Sequence, residues 1–422
     1  MDVVAAALAT APRRYRMPAL PASVEAARAA GTDVALAFAI ESARTGTVPG
    51  ARELFLASLA ALAIRALDPR TGDPGFQALV VRASEPSVHE YVALQALAAR
   101  DARAVRRVVD AVAHPGRLAA SGDEDARLAD LHQLAHEGRW AALRDRAEGA
   151  IDALPDHVSL QRLARSEALQ ATAAVASYLD LVRAQGPLAG SEAASERGRG
   201  GARTGASAEA EVAAALQAMA DALHGRGTPA LRVARGLRTP RSFPGEPGKA
   251  KEEWDVALLA SDGHAARIVL LGEVKASPAA APADVPRLHR GLQRLAQAQA
   301  GIAYTFPSTD GPVVIAGESL QALAPMGGSL PPQVLYFSTA PAGQVPPALS
   351  VASKAMLLAE PGTLAFARDR HPPLLEPVWD ALRIERRLRT TLNQHDNARL
   401  ACEAMLHPDD LLATFRALWP GT

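Results

Sequence analysis

The segment that decides the fold of this chain is EWDVALLASDGHAARIVLLGEVK, residues 253–275. Two apolar runs flank an Asp-Gly pair at 262–263, and this order predicts two strands joined by a tight hairpin turn. The second run, 268–271, is apolar at every position, which is typical of a strand buried on both faces. It ends in Glu-Val-Lys at 273–275, so charged groups stand where the buried strand stops.

Strand geometry brings these charged groups together. Side chains alternate along a strand, so Glu273 and Lys275 share one face about 6–7 Å apart. A hairpin whose loop centres near His264 places Asp255 opposite Glu273. Burying unpartnered charges costs several kcal/mol for each charge, and a divalent cation with oxygen ligands, such as Mg²⁺, would relieve the repulsion. The alternative is an ordinary ion pair at the end of a strand.

The hairpin resembles the PD-(D/E)xK nuclease superfamily, whose core is a helix, a three-strand meander, a helix and a further strand. The match consists of Asp255, 17 intervening residues and then Glu-Val-Lys at 273–275. The strand start Glu-Trp-Asp at 253–255 also resembles the second strand of that family. The resemblance covers about 207–340 and implies a restriction-endonuclease-like α/β domain.

The resemblance also implies a metal-dependent nuclease and roles for individual residues. Asp255 and Glu273 would bind Mg²⁺ or Mn²⁺, together with the backbone carbonyl of Val274. Lys275 would orient or deprotonate the attacking water. Glu209, on the first helix of the core, would hold a metal-bound water or a second metal. When bound, the metal would lower the pKa of water and neutralise charge in the transition state.

The position of Glu209 can be examined from periodicity alone. The segment 207–224 predicts a helix, and Glu209 is in register with an apolar stripe on one face of it. A carboxylate on an apolar stripe is unfavourable unless it has a role, so Glu209 is the candidate on this helix. Glu211 is turned toward solvent. The stripe is formed by Val212, Leu216, Met219 and Leu223.

A basic run precedes the strand pair and could follow the phosphates of DNA or RNA. Glu246 is the only acidic residue between 226 and 251. The alternative is that these are solvated surface cations. The candidate nucleic-acid-binding residues are Arg235, Arg238, Arg241, Lys249 and Lys251, and the run begins at Arg226.

Residues 1–186 are predicted to be helical, as a helical repeat or as a generic helical bundle. The segment 129–157, ADLHQLAHEGRWAALRDRAEGAIDALPDH, resembles one tetratricopeptide repeat, with the turn at Gly138. This region would recruit a protein partner or orient the substrate. His132 and His136 lie four residues apart and could bind a metal. The sequence supplies no third ligand, which favours two residues on the surface of a helix.

Changes in composition predict the domain boundaries. The glycine-rich segment 187–206 predicts a flexible linker. A nuclease-like domain follows at 207–345, and the C-terminal extension, 346–422, is mostly helical. The predicted class is therefore α plus α/β. Further predicted elements are strands at 231–237, 313–316 and 334–338 and a helix at 285–300.

Composition excludes several classes of protein. The 45 basic and 45 acidic residues cancel, which excludes a basic field over the whole molecule. A single cysteine, Cys402, excludes a disulfide framework and a multi-cysteine metal site. Without a secretory signal pattern or an apolar run of about 18 residues, we expect a cytoplasmic protein with no membrane partner.

Two alternatives to an active nuclease remain open at this point. The chain could be a non-enzymatic helical-repeat adaptor that carries an inactive nuclease-like domain. It could also be a toxin or defence nuclease that is regulated by its helical part.

Overall fold

The structure, a computed structural model, describes residues 2–46, 48–116, 126–186, 192–225, 229–246, 248–261 and 263–420. It is mixed α/β, with a mixed sheet in the C-terminal half. The chain divides into two compact units. The sheet unit comprises Met1–Leu59, Ala189–Leu357 and Glu376–Thr422, and the helical unit comprises Ala60–Leu188 and Leu358–Leu375.

This division differs from the boundaries expected from composition. Residues 1–59 group with the sheet and not with the other helices, and 376–422 also belong to the sheet unit. Composition could not show this, because the N-terminal segment is helical like the segment that follows it. What separates them is the surface on which each helix buries its apolar face.

The N-terminal part of the chain is helical. Ser23 caps the second helix, since its side chain accepts a hydrogen bond from the Ala26 amide. The helices are α1 (Asp2–Thr10), α2 (Val24–Ala29), α3 (Thr32–Thr45) and α4 (Ala51–Ala66).

The next helices along the chain belong to the helical unit. Gly138 supplies the turn between two of them with a φ of +77°, which glycine adopts without strain. Pro86–Ala113 form one continuous helix, α6. The helices are α5 (Pro74–Ser84), α6 (Pro86–Ala113), α7 (Ala126–Glu137), α8 (Trp140–Ala147), α9 (Val158–Gln170) and α10 (Ala173–Ala184).

The sheet follows a helix that begins earlier than expected. Residues 192–206, expected in the linker, are the first part of α11, while 187–191 lie outside the described residues. Alanine, glutamate and arginine favour a helix enough to tolerate the glycines between them. The elements are α11 (Glu192–Leu223), β1 (Ala230–Arg238), β2 (Glu253–Ser261), β3 (Ala266–Val274), α12 (Ala281–Leu295), β4 (Ala303–Phe306), β5 (Val313–Ala316), α13 (Gly317–Gln321) and β6 (Val334–Phe337).

The C-terminal segment returns to helices and adds one short strand. Three short 3₁₀ helices also occur in the described chain, at Pro278–Ala280, Pro372–Leu375 and Arg386–Leu388. The elements are α14 (Val351–Leu358), α15 (Pro361–Asp369), α16 (Glu376–Ile384), α17 (Arg389–Leu392), α18 (Gln394–Glu403), β7 (Met405–Leu406) and α19 (Pro408–Leu418).

The sheet is built around β3. Strands β1, β2 and β3 form an antiparallel meander, and β3 also pairs in parallel with β5 and β6. Strand β4 pairs antiparallel with β5, and β7 pairs in parallel with β6. The predicted register of the hairpin is confirmed, because Val256 pairs with Gly272, one position from Asp255 and Glu273. The turn residue Asp262 lies outside the described residues.

Apolar side chains cover both faces of the sheet. One cluster joins α12 to the sheet and includes Leu271, Leu288 and Tyr336. The other cluster joins α1, α11 and α19 to the opposite face. Its members include Val4, Leu8, Val212, Leu216, Met219, Leu258, Leu270, Phe337 and Phe415. The N- and C-terminal helices thus supply one wall of the core, and no described helix is long and apolar enough to cross a membrane.

Candidate active site

Glu273 is the centre of a buried charged cluster at the end of β3. Its side chain is almost inaccessible, at 2% exposure. Oε1 lies 2.6 Å from Lys275 Nζ, and Oε2 lies 2.6 Å from Lys251 Nζ. The Lys275 contact is a hydrogen bond, whereas the Lys251 contact is an ion pair without good hydrogen-bond geometry. One carboxylate is therefore held between two of the four lysines of the chain.

Asp255 is the second carboxylate of the cluster, on the neighbouring strand β2. Its Oδ2 accepts a hydrogen bond of 2.7 Å from the backbone amide of Val274. This bond fixes the Asp255 side chain against β3, one residue from Glu273. The arrangement follows from the hairpin register and needs no contact from outside the two strands.

Helix α12 positions Lys251. The Lys251 amide donates to the Arg287 carbonyl at 3.2 Å, and Arg290 donates to the Lys249 carbonyl. Gly291 permits this close approach, because a Cβ at that position would lie 2.9 Å from the Cβ of Lys251. The Lys251 ammonium also lies 5.9 Å from the centre of the Trp254 ring, within cation–π range.

Two further polar groups complete the cluster. Asp284, in the first turn of α12, has an Oδ2 that lies 3.6 Å from Lys275 Nζ. Tyr336 on β6 is paired in register with Glu273, and its hydroxyl is buried without a hydrogen-bond partner among the described residues. Sequence reasoning missed both. An acidic residue at the start of a helix and a tyrosine in an apolar strand are each too common to identify a site.

The electrostatics of the cluster favour bound protons. Burial raises the pKa of Glu273 to about 7, and the charge of Asp255 adds to the rise. Burial also raises the pKa of Asp255. Burial lowers the pKa of Lys275, but the charge and hydrogen bond of Glu273, together with the charges of Asp284 and Asp255, outweigh this effect, so the net pKa is raised. Burial raises the pKa of Tyr336 as well, which keeps its phenol neutral. Lys275 is therefore protonated near neutral pH while Glu273 is close to its midpoint.

The predicted site residues divide into two groups. The structure brings Asp255, Glu273, Val274 and Lys275 together. Glu209 does not join them closely: the apolar stripe of α11 is buried as expected, but Glu209 beside it is exposed. Helix α11 packs on the face of the sheet opposite to α12, and Glu209 acts on Asp255 only as a weak negative charge.

Lys251 differs from its predicted role. It was expected to follow phosphates, but it is 6% exposed and paired with Glu273, so it belongs to the buried cluster. The other candidates lie on the surface, with Arg235 paired to Asp310 and Arg238 paired to Glu253. Of the remaining candidates, Arg241 and Lys249 are exposed, and Arg226 lies outside the described residues.

The oxygen donors fit a hard divalent cation with one reservation. Asp255, Glu273 and the Val274 carbonyl offer the oxygen ligands that Mg²⁺ prefers, and Oε2 of Glu273 accepts no hydrogen bond of good geometry. The reservation is that the ammonium groups of Lys251 and Lys275 already lie beside the two Glu273 oxygens that would bind the metal. Within the described ranges, three histidine or carboxylate ligand atoms approach within 4.8 Å of one another only in the helical unit, at Asp110, His132 and His136.

An apolar cleft also occurs in the sheet unit. It is lined by Leu8, Ile268, Leu330 and Leu400 among others, and it includes none of the charged cluster. The cleft therefore offers no carboxylate or lysine of that cluster to a substrate. Comparison with protein-family models, with curated proteins and with solved structures finds no match for this chain.

Proposed function

We propose that this protein is a metal-dependent nuclease that hydrolyses phosphodiester bonds in DNA or RNA at the Asp255–Glu273–Lys275 cluster. The observation that carries the proposal is a pair of carboxylates with raised pKa values, the buried Glu273 and the partly buried Asp255, beside a lysine where the central strand of the sheet ends. Buried ionisable groups with strongly shifted pKa values are characteristic of catalytic sites.

The order of elements supports the same proposal. Helix α11, the meander β1–β2–β3, helix α12 and the parallel strand β6 follow the order of the PD-(D/E)xK core. In this chain a β4–β5 hairpin stands between α12 and β6. The cluster lies on β2 and β3, the strands that carry the catalytic residues in the resemblance.

Residues of the chain divide the chemical work. Asp255, Glu273 and the Val274 carbonyl would hold Mg²⁺, which lowers the pKa of bound water and neutralises phosphate charge. Lys275 stays protonated beside Glu273, so it would donate a hydrogen bond to the water or to a phosphate oxygen and would not remove a proton. The neutral Tyr336 hydroxyl is a further donor inside the cluster. The exposed arginines of β1 would contact the nucleic-acid backbone.

The experiment measures Mg²⁺-dependent cleavage of plasmid, single-stranded DNA and RNA. Asp255→Asn, Glu273→Gln and Lys275→Met should each reduce the rate by at least about 100-fold, the lower range for acid–base and charge-stabilising groups. Glu253→Gln is the matched control, because Glu253 is an exposed glutamate on the same hairpin. Cleavage by the three site variants at the wild-type rate would reject the proposal.

A second candidate is favoured by the Lys251 ion pair. The Lys251 ammonium neutralises the charge at Oε2 of Glu273, as a bound metal ion would. A site neutralised in this way suits an inactive nuclease-like domain attached to a helical adaptor. In that case isothermal titration finds no Mg²⁺ binding that depends on Asp255 and Glu273. A protein partner would then be retained by the helical unit, Ala60–Leu188 and Leu358–Leu375, rather than by the sheet unit.

A further inference from the structure

Two histidines and one aspartate of the helical unit come together on neighbouring helices. We propose that Asp110, His132 and His136 form a binding site for a divalent ion of the zinc type, independent of the Asp255–Glu273 cluster. The sequence offered the two histidines without a third ligand. The fold supplies that ligand from α6, 22 residues before His132 in the chain.

The distances suit a tetrahedral metal site. Asp110 Oδ1 lies 3.4 Å from Nε2 of His132 and 3.2 Å from Nε2 of His136. In a tetrahedral zinc site with metal–ligand bonds of about 2.0–2.1 Å, neighbouring ligand atoms are about 3.3–3.4 Å apart. Both distances from Asp110 therefore match the edges of such a site, and all three ligand atoms lie within 4.8 Å of one another. Hydrogen bonds from two imidazoles to one carboxylate oxygen are the alternative arrangement.

The two helices are fixed relative to each other. Buried Val105 and Val109 of α6 pack with Leu131 and Leu134 of α7. Arg106 of α6 donates to the carbonyls of Ala135 and His136, at 3.0 and 3.3 Å. The ligands thus stand on rigid elements, so a metal would not have to order a flexible loop before binding.

The two histidines are placed to bind one ion together. They lie four residues apart on α7, so their side chains project from the same face of that helix. The two rings lie 4.3 Å apart at a tilt of 34°. The Nε2 atoms of both imidazoles lie next to the same oxygen, Oδ1 of Asp110.

A third histidine lies close but is not a ligand. The His114 ring is 5.6 Å from that of His132, and its Nδ1 accepts a hydrogen bond from the Gly116 amide. With Nδ1 accepting, the proton of the neutral ring is on Nε2, which leaves no free lone pair there. Three protein ligands and one open position are the pattern of an accessible zinc site.

The charges around the open position favour an anion or water there. Arg103 and Arg107 lie on α6 and line the same pocket as Asp110 and His114. Their positive charge opposes a bare dication and stabilises a metal that carries a small anion such as phosphate. We therefore expect zinc to bind together with water or a small anion.

The experiment titrates the full chain with ZnCl₂ in the presence of a competing chromophoric chelator. To remove any contribution from the sheet, the same titration is made with Asp255→Asn. We expect one equivalent of zinc that outcompetes the chelator in both proteins. His132→Gln, His136→Gln and Asp110→Asn should each weaken zinc binding at least tenfold, while His89→Gln, at an exposed histidine of α6, should leave it unchanged.

Cobalt supplies an independent readout of geometry. Co²⁺ bound at this site should give the intense visible absorption of four-coordinate cobalt, and His136→Gln should lose it while circular dichroism shows an intact fold. Addition of inorganic phosphate should shift the spectrum of the wild-type complex. The proposal is overturned if the full chain binds no zinc against the chelator. It is equally overturned if all three ligand variants bind zinc like wild type.

Discussion

Replacing Glu273 with glutamine tests the electrostatics of the cluster by the sign of a stability change. Burial and the charge of Asp255 raise the pKa of Glu273 from 4.5 to about 7. Between these two values the folded protein holds a proton that the unfolded chain has released. The contribution of Glu273 to the free energy of unfolding is therefore greatest below about pH 4.5, and it is lost as the pH rises through about 7.

Glutamine has nearly the shape of a protonated glutamic acid and carries no charge. At pH 8 the wild type bears the cost of ionising Glu273 in the folded state, about 3 kcal/mol for the pKa rise given above. We expect Glu273→Gln to increase the free energy of unfolding by about 2–3 kcal/mol at pH 8 and by no more than about 1 kcal/mol at pH 5. The opposite sign follows if Lys251 and Lys275 keep Glu273 fully ionised, because removing one partner of a buried ion pair costs about 3–5 kcal/mol.

The assay is urea unfolding at pH 5 and pH 8, with a chelator present so that no divalent cation contributes. Glu253→Gln is the control, since Glu253 is exposed and paired with an exposed Arg238, and it should change stability by no more than about 1 kcal/mol at either pH. A Glu273→Gln protein that is less stable than wild type at pH 8 would refute the reasoning. An equal change at both pH values would refute it as well.

Three further substitutions test other parts of the structure. Gly291→Ala should cost about 1–3 kcal/mol by urea unfolding, because the new Cβ would lie 2.9 Å from Lys251, and unchanged stability would contradict that close approach. Gly200→Ala should slow amide hydrogen exchange in 192–206 and stabilise α11 by up to about 1 kcal/mol, since the added methyl meets no atom within 4 Å; faster exchange would mean that this segment is not helical. Asp101→Asn should lower stability by about 2 kcal/mol in thermal unfolding, because buried Asp101 accepts two 2.7 Å hydrogen bonds from Arg162, and a neutral result would show that this ion pair contributes little.

The hairpin could be predicted because its information is local. The apolar run of β3, the turn at 262–263 and the alternation of side chains are enough to place Asp255 opposite Glu273, and the observed register agrees. The strands expected at 231–237, 313–316 and 334–338 are also confirmed. Strands β4 and β7 are not among the predicted strands. Strand β7 has only two residues, and it forms by pairing with β6, which lies far away in the sequence.

The remaining differences arise from contacts that are distant in sequence. Lys251 was counted with the surface cations because its neighbours in the chain are basic, and only the approach of α12 at Gly291 buries it against Glu273. Asp110 could not be joined to His132 and His136 because that step depends on how α6 packs on α7. Helical periodicity correctly located the buried stripe of α11, but it placed Glu209 on the stripe when the residue lies just beside it.

The pairing of β7 with β6 has a consequence for the order in which the chain folds during synthesis. Strand β6 pairs with β3 on one side, but on its other side Tyr336 and Phe337 pair with Met405 and Leu406, and α1 packs in the same cluster as α19. A ribosome must therefore release the chain through β7 and α19 before the sheet unit can close, whereas most of the helical unit lies between 60 and 188 and can fold earlier. We expect the nascent protein to pass through a stage in which the helices of residues 1–59 have been synthesised but the C-terminal segment that packs in the same unit has not. We expect it to depend on chaperones at that stage.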